Sequence, residues 1–307
     1  MGIAISIIIV LLAAYIFFGW YFSSILIYPK TFDHDYAIAF DQERGRLDAN
    51  YYTIFKSLDR QEVTIRSKHG EELHGIWIPN EQANKTIVFC HGITWNLIGS
   101  IKYTEIFYRL GFNILLYDHR NHGKSGGKMT TFGYFEKEDL KLWLDWVEET
   151  LGKGAYIATH GESLGAATVL QHLGIDSRVK FCIADCPYSN LSEVLKYRLK
   201  EEYKITHLPI IPMASFFTKW KAGMRIKDVS PIDVVRQVET PILWIHGSED
   251  DYVPPSMSRD MYNAKTKGIK RLWIVAEAKH AGSYFKDKEG YKREVDAFLK
   301  EIEDEKH

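Results

Sequence analysis

The segment Thr159-His-Gly-Glu-Ser-Leu-Gly-Ala-Ala167 places a serine between two glycines, where a strand-like run meets a helix-like run. The apolar residues GAYIA come before it, and the helix-like run ATVLQHL begins at its end. A glycine on each side predicts a turn too tight for side chains at those two positions. Gly161, Ser163 and Gly165 therefore predict a sharp turn that lifts the Ser163 hydroxyl above the end of a strand.

A serine in such a turn is a candidate nucleophile. The helix that follows directs its N-terminus at the hydroxyl, and a helix N-terminus favours developing negative charge. A serine hydroxyl also needs a histidine to take its proton, and that histidine needs a carboxylate to orient it. Because G-x-S-x-G also occurs by chance, the rest of the chain has to supply both partners.

Short apolar runs recur along the chain and predict the fold class. Near-continuous apolar runs are typical of strands buried on both faces of a parallel sheet. Helical spacing of apolar residues appears between them, over 101–110, 140–151 and 291–302. We expect an α/β fold, a mostly parallel sheet flanked by helices, preceded by an antiparallel pair around His69-Gly70. The six runs are TIVFCH, NILLYD, AYIATH, KFCIAD, PILWIH and RLWIVA.

The two missing partners of the serine are sought after the last two strand-like runs. On a fold with this serine turn, the expected chain order is serine, acid, histidine. GSEDDYVP follows PILWIH, and EAKHAGSY follows RLWIVA. His280 is therefore the candidate base, while Glu249, Asp250 and Asp251 all remain candidates for the acid.

Taken together and in this order, the motifs resemble those of α/β-hydrolases, in particular the group of esterases, monoacylglycerol lipases and so-called serine aminopeptidases. The resemblance extends from about residue 62 to about residue 299 and rests on five segments: Cys90-His-Gly-Ile93, Asp118-His-Arg-Asn-His-Gly-Lys-Ser125, Gly161-Glu-Ser-Leu-Gly165, His246-Gly-Ser-Glu-Asp-Asp-Tyr-Val-Pro254 and His280-Ala-Gly-Ser283.

The resemblance implies roles for particular residues. In the family pattern His-Gly-x-x-Asp-x-x-Val-Pro the aspartate is the acid of the triad, and it falls on Asp250, with Asp251 and Asp185 as alternatives. The family also implies an oxyanion hole made by the backbone N–H groups of Ile93 and Leu164. The catalytic residues expected from it are Ser163, Asp250 and His280.

The implied activity is that of a serine hydrolase that cleaves a carboxylic ester, or a thioester or amide, through an acyl-enzyme. We expect a carboxylesterase or lipase-like enzyme ahead of a peptidase, with a small-molecule acyl substrate and no cofactor or metal. Two alternatives remain: an aminopeptidase-type amide hydrolase, and a non-catalytic ligand-binding or signalling protein on the same scaffold.

The N-terminus predicts a membrane anchor over residues 1–29. No charged residue occurs from Ile3 to Tyr28, and a spanning helix needs roughly 20 such residues. A cleaved signal peptide would have a basic start and a shorter apolar core. Lys30, Arg44 and Arg46 follow the run, so the positive-inside rule predicts a cytoplasmic catalytic domain.

The remaining organisation follows from the same patterns. Residues 30–60 form a connector, either a packed helix with Phe40, Leu47, Tyr51 and Phe55 at helical spacing or a loose tether. Residues 61–307 form the hydrolase domain, in which residues 187–231 predict a helical lid. An apolar lid together with a membrane anchor favours a lipophilic substrate, although such a lid also serves to pack on the domain.

Composition and cysteine usage exclude other classes. Apolar residues make up 46% and charged residues 26%, as in globular proteins, and a net charge of −1 argues against a nucleic-acid partner. The odd set of Cys90, Cys182 and Cys186 argues against a disulfide framework. Neither the two later cysteines nor the group His91, His119 and His122 has the ligand pattern of a zinc site.

Two further segments have less specific patterns. Trp95 and Asn96 follow the loop of Ile93 and either line a substrate pocket or only pack. The basic cluster Lys219-Trp-Lys221 is expected at the solvated surface. The sequence contains no indication of oligomeric state.

Overall fold

A mixed sheet of eight strands carries the fold, within the residues that the computed structural model describes, 2–44, 49–81, 83–206 and 209–305. The spatial order of the strands is β1-β2-β4-β3-β5-β6-β7-β8. They are β1 (Gln61–Arg66), β2 (Glu72–Ile78), β3 (Lys85–Cys90), β4 (Asn113–Tyr117), β5 (Tyr156–Glu162), β6 (Val179–Asp185), β7 (Ile242–Gly247) and β8 (Lys270–Val275).

The strand directions confirm the predicted sheet. β1 pairs with β2, and β2 with β4, in antiparallel registers, with Gln61 opposite Trp77 in the first pair. All other neighbouring strands are parallel. Because the chain runs from β3 to β4 on one side and then to β5 on the other, the carboxyl ends of the central strands border a crevice where such sheets bind ligands.

Helices cover both faces of the sheet. Three helices precede the sheet: α1 (Gly2–Ile27), α2 (His34–Glu43) and α3 (Ala49–Ser57). The helices that flank the strands are α4 (Thr104–Arg109), α5 (Glu136–Leu151), α6 (Leu164–His172), α9 (Pro231–Val235), α10 (Ser256–Ala264), α11 (Ser283–Lys286) and α12 (Lys288–Asp304). Helices α7 (Leu191–Tyr203) and α8 (Ile210–Ala222) lie between α6 and α9 in the chain. Helix α12 buries Tyr291, Val295, Phe298 and Ile302, the stripe predicted from its spacing.

One predicted helix has a different start. The helix expected over 101–110 is preceded by a 3₁₀ helix, Leu97–Tyr103, that continues into α4. The Asn96 side chain accepts a hydrogen bond from Ile98 N, and the Asp118 carboxylate accepts one from Leu97 N, so polar caps start the helix earlier than its apolar spacing indicates.

Two of the described elements lie before the sheet. Helix α1 is long and apolar enough to cross a membrane by length and composition, and Gly19, Ser23 and Ile27 are its buried residues. Helix α2 buries Ala37 against the domain, so this part of the connector is a packed helix and not a loose tether. Leu47 and the side chain of Tyr51, named in the sequence prediction, lie outside the described residues.

The segment between β6 and β7 is helical, as expected. It contains α7 and α8, and α8 packs along α1 so closely that a Cβ atom at Gly19 would lie 2.6 Å from Phe217 Cε2. In the segment Lys219-Trp-Lys221, expected at the solvated surface, the first two residues are exposed and Lys221 is half-buried. Its Nζ donates to Trp20 O at 2.9 Å and to Ser23 Oγ at 2.8 Å, because its long side chain reaches the polar groups on α1.

Candidate active site

Ser163 occupies the turn between β5 and α6 with φ 54° and ψ −112°, a conformation that costs roughly 1–3 kcal/mol for a residue with a side chain. The two flanking glycines permit it. A Cβ atom at Gly161 would lie 2.3 Å from the carbonyl carbon of Gly165, and one at Gly165 would lie 1.9 Å from Cys90 O. The glycines of the motif are therefore required by backbone packing on both sides of the serine.

Three side chains predicted from distant parts of the chain lie within hydrogen-bonding distance. Ser163 Oγ donates to His280 Nε2 at 2.9 Å, and His280 Nδ1 donates to Asp250 Oδ2 at 2.7 Å. They reach this position from three strands, since Ser163 follows β5, Asp250 follows β7 and His280 follows β8. Each strand ends at the same edge of the sheet, as parallel pairing requires.

The Asp250 carboxylate is held from several directions. Oδ1 accepts hydrogen bonds from Tyr252 N at 3.0 Å and Val253 N at 2.8 Å, and Oδ2 lies 3.1 Å from His246 Nε2. Burial alone would raise the pKa of this carboxyl, but the hydrogen bonds from His246 and His280 outweigh it and hold the pKa well below its usual range. Asp250 is therefore ionised at neutral pH and can stabilise a protonated His280.

Comparison with known proteins bears on this arrangement. Residues 85–203 match the family described as the alpha/beta hydrolase fold. The chain is 36% identical over 296 residues to YqkD of Bacillus subtilis (strain 168), covering 96% of each chain. This chain belongs to the α/β-hydrolase superfamily.

Two further similarities refine this assignment. The structure of the Pyrococcus furiosus esterase Pf2001 superposes with a TM-score of 0.66 and 27% identity, covering 80% of this chain and 93% of that chain. The Saccharomyces cerevisiae membrane protein YNL320W is 24% identical over 247 residues, 76% of this chain and 77% of that one. The fold and the family predicted from the motif order are confirmed, and this α/β-hydrolase fold with esterase neighbours supports a hydrolase activity.

The two backbone amides that the resemblance implies as an oxyanion hole lie beside the serine of this α/β-hydrolase. Leu164 is the first residue of α6, and the loop of Ile93 passes so close that a Cβ atom at Gly92 would lie 3.6 Å from Ser163 Cβ. Among the described residues, neither the Ile93 nor the Leu164 N–H donates a backbone hydrogen bond. Both amides are thus available to an oxygen bound at the serine.

A cavity of about 330 Å³ lies in front of the serine. Ser163, His280 and Ile93 line it, and so does Trp95, whose ring packs edge-on against Phe32 in the connector. Of the two residues predicted either to line a pocket or only to pack, Trp95 lines the cavity.

Asn96 does not line this cavity. It is buried, and its Nδ2 donates to Phe32 O and Asp33 O at 3.0 Å each. Asn96 therefore fastens the connector to the loop that follows β3, which is a packing role.

A buried ion pair beside the serine was missed by the sequence analysis. Glu162 Oε2 accepts a hydrogen bond from Lys102 Nζ at 2.5 Å and another from Tyr103 Oη at 2.7 Å. Both charged side chains line the cavity in front of Ser163, although each is almost fully buried. Glu162 was visible inside the G-x-S-x-G motif, but no sequence signal pairs it with a lysine 60 residues earlier.

The alternative acids occupy different environments. Glu249 and Asp251 are exposed, and Asp185 is fully buried with Oδ2 3.3 Å from Tyr103 Oη. Burial, and then the nearby carboxylate of Glu162, raise the pKa of Asp185 to about 7. Within the described part of the chain, none of these three carboxylates is hydrogen-bonded to His280, which favours Asp250 among the candidates.

Of the three histidines considered as a metal site, His91 uses both ring nitrogens in hydrogen bonds. His91 Nδ1 donates to Gly92 O at 2.8 Å, and His91 Nε2 accepts from His119 N at 2.9 Å. Burial lowers the pKa of His91 to about 3, so the ring is neutral. These bonds brace the loop of Ile93 against the loop that follows β4.

Two other sets of side chains each bring three potential ligand atoms within 4.8 Å of one another. One set contains Cys186, Asp250 and His280, and the hydrogen bonds of His280 to Asp250 and to Ser163 already account for the last two. The other contains His34, His74 and Asp118, in which the Asp118 Oδ2 atom lies 2.8 Å from His34 Nε2 and 3.2 Å from His74 Nδ1. Hydrogen bonds account for this second set, and they dock helix α2 on the sheet.

Proposed function

We propose that this chain is a serine hydrolase that cleaves a carboxylic ester through an acyl-enzyme. One observation carries the proposal: the continuous hydrogen-bond relay from Ser163 through His280 to Asp250 at the wall of the cavity. A scaffold that only binds a ligand has no chemical use for a serine held in a costly conformation with a base against its hydroxyl.

The proposed mechanism assigns a step to each group. His280 Nε2 takes the proton of Ser163 as Oγ attacks the ester carbonyl, and the Asp250 carboxylate stabilises the imidazolium that forms. The Ile93 and Leu164 amides hold the tetrahedral oxyanion, each worth about 2.7–4 kcal/mol in such sites. His280 then protonates the leaving alcohol, and a water activated by the same ring releases the acid.

An ester is favoured over a peptide by the charges at the cavity. A peptidase that selects a free amino terminus needs an unpaired carboxylate for the ammonium group. Among the described residues, the carboxylates that line the cavity are those of Glu162 and Asp41. Lys102 already pairs with Glu162, and Asp41 is not without a partner either. The similarity to the Pyrococcus furiosus esterase adds support in the same direction.

The proposed enzyme is held at a membrane by α1. The length and composition of this helix and the similarity to a yeast membrane protein support the anchor. We assign residues 1–29 to the anchor, 30–60 to the connector and 61–307 to the hydrolase domain with its lid at 187–231. Lys30 and Arg44, which follow the helix, favour a cytoplasmic domain.

A fluorophosphonate probe tests the proposal directly. The full-length chain should be labelled, and Ser163→Ala should abolish labelling while the variant keeps the thermal unfolding midpoint of the wild type. The wild type should also hydrolyse p-nitrophenyl esters in preference to aminoacyl p-nitroanilides. A folded wild type that is not labelled would favour the non-catalytic binding protein, and a preference for aminoacyl amides would favour the aminopeptidase.

A further inference from the structure

A second cavity, of about 300 Å³, lies between the end of α1 and the two lid helices. We call it the lid groove. Its lining is mostly apolar, and three helices and the loops beside them contribute to it. The helical residues include Phe22 and Ile25 of α1, Leu195 and Leu199 of α7, and Ile211 and Ala214 of α8. Arg198 and Glu202 are the charged residues that line it. An apolar groove of this size is suited to an extended hydrocarbon chain.

The lid groove adjoins the cavity in front of the serine. Ile93, Thr94 and Tyr252 line both. Ile93 also carries one of the two amides proposed to hold the oxyanion, so one end of the groove meets the position of the reacting carbonyl. A chain bonded to that carbonyl would extend past Ile93 and Tyr252 toward the groove.

The other side of the groove faces the membrane helix. Ile25 lines the groove and is 54% exposed, so the groove is not sealed along α1. Helix α8, which forms the opposite wall, exposes Phe216 by 62% and Trp220 by 72% beside the same helix. Exposed aromatic rings next to a spanning helix are typical of the membrane–water interface.

Lys221, which lies between α1 and α8, has contacts that are typical of a lysine at the membrane–water interface. Lys221 Nζ stacks over the Trp20 ring, 3.8 Å from its centroid, and binds Trp20 O. This satisfies its charge where α1 leaves the apolar layer. The lid groove therefore has one wall in the proposed membrane helix and borders the cavity that contains the proposed nucleophile.

We propose that the lid groove binds the fatty acyl chain of a bilayer lipid ester, which enters beside α1. This inference rests on the proposed function and names its substrate class, a long-chain ester drawn from the membrane. An acyl chain that passes from the bilayer into an apolar groove stays buried throughout, so its transfer does not expose apolar surface to water. A short, water-soluble ester gains nothing from such a groove.

The test compares two esters on the full-length chain in phosphatidylcholine vesicles: p-nitrophenyl palmitate dissolved in the bilayer and p-nitrophenyl acetate in the water. Leu199→Trp and Ala214→Leu narrow the groove from opposite walls, at positions outside the proposed catalytic machinery. Lys200→Trp adds the same indole one residue further along α7, at an exposed position that does not line the groove.

We expect both groove variants to lose about tenfold or more in kcat/KM for the palmitate, because each methylene excluded from an apolar site costs about fourfold. Their rates on the acetate should stay within about twofold of wild type, as should both rates of Lys200→Trp. The acetate rate thereby reports folding and the integrity of the serine site.

The outcomes separate the inference from the proposed function. Equal losses on both esters, or no loss on the palmitate, would overturn the lipid groove while Ser163-dependent acetate hydrolysis leaves the esterase standing. A wild type that hydrolyses the acetate but not the palmitate would do the same. If the wild type hydrolyses neither ester and resists fluorophosphonate, the proposed function fails, and the substrate class falls with it.

Discussion

Replacing Asp250 by asparagine changes one oxygen of the proposed triad to an amide nitrogen and leaves the shape of the side chain intact. The surrounding contacts fix which way the new amide faces. Tyr252 N and Val253 N both donate to the Oδ1 position, so that position has to remain an oxygen. The introduced NH₂ group must then occupy the Oδ2 position, 2.7 Å from His280 Nδ1.

That orientation forces His280 into a tautomer that is unsuitable for catalysis. An NH₂ group donates to Nδ1, so the ring proton moves to Nε2 and points at the Ser163 hydroxyl. In this state His280 cannot accept the serine proton, and the imidazolium has lost its counter-charge. We expect kcat to fall about ten-thousand-fold, the size of effect known for this change in serine triads. KM should change little, since Asp250 does not line the cavity.

Hydrolysis of p-nitrophenyl acetate and the rate of fluorophosphonate labelling both measure this effect. Asp251→Asn is the matched control, because it makes the same chemical change at the adjacent, exposed residue and should stay within about twofold of wild type. The reasoning is refuted if Asp250→Asn retains more than about a tenth of the activity, or if Asp251→Asn or Asp185→Asn loses as much.

Three further changes test the packing and charges around the serine. Gly165→Ala should lower the free energy of unfolding by about 3 kcal/mol, because its Cβ atom would lie 1.9 Å from a backbone oxygen. Gly92→Ala is the control: its Cβ atom would have contacts no closer than 3.6 Å, so the loss in thermal unfolding should be under about 1 kcal/mol. Lys102→Met should lower the free energy of unfolding in urea by about 3–5 kcal/mol, because it leaves the buried Glu162 carboxylate without its counter-charge. Adding Glu162→Gln should restore most of this stability, and equal stability of the single and double variants would contradict the prediction. Since the folded-state pKa of Asp185 is raised to about 7, its protonation stabilises the fold below about pH 4 and that contribution is lost as the pH rises through about 7. Asp185→Asn should therefore flatten the fall in Tm between about pH 4 and pH 7, and an unchanged slope would count against the shift.

The sheet and the serine turn were predictable because their signals are local. Each buried strand is a short apolar run, and the tight turn requires glycine at two positions fixed relative to Ser163. The position of His280 followed from the same logic, since parallel strands bring their carboxyl ends to one edge. The choice among neighbouring carboxylates did not follow from the pattern alone. It depends on which side chain the two backbone amides of the loop hold toward the ring.

The contacts that escaped prediction join side chains far apart in sequence. The pair of Lys102 with Glu162 is one, and the contact of Lys221 with helix α1 is another, 201 residues apart in the chain. A charged side chain in a polar sequence context predicts exposure on average. Whether it instead pairs with a distant group, as Lys102 and Lys221 do, depends on the tertiary packing of the two elements, which neither local sequence encodes.

Helix α1 and the serine site are parts of one packing arrangement. The chain that leaves α1 crosses the loop of Ile93, where Phe32 N donates to Thr94 O at 2.9 Å, while Ile27 O accepts from Thr130 N at 2.9 Å. The proposed oxyanion amide and the end of α1 are therefore positioned by contacts within the same few residues. A long flexible tether would anchor a hydrolase equally well, but it would not hold α1 as a wall of the lid groove. A connector docked at Phe32 and Asp33 instead keeps the end of α1 beside the groove, as the proposed entry of a substrate along α1 requires.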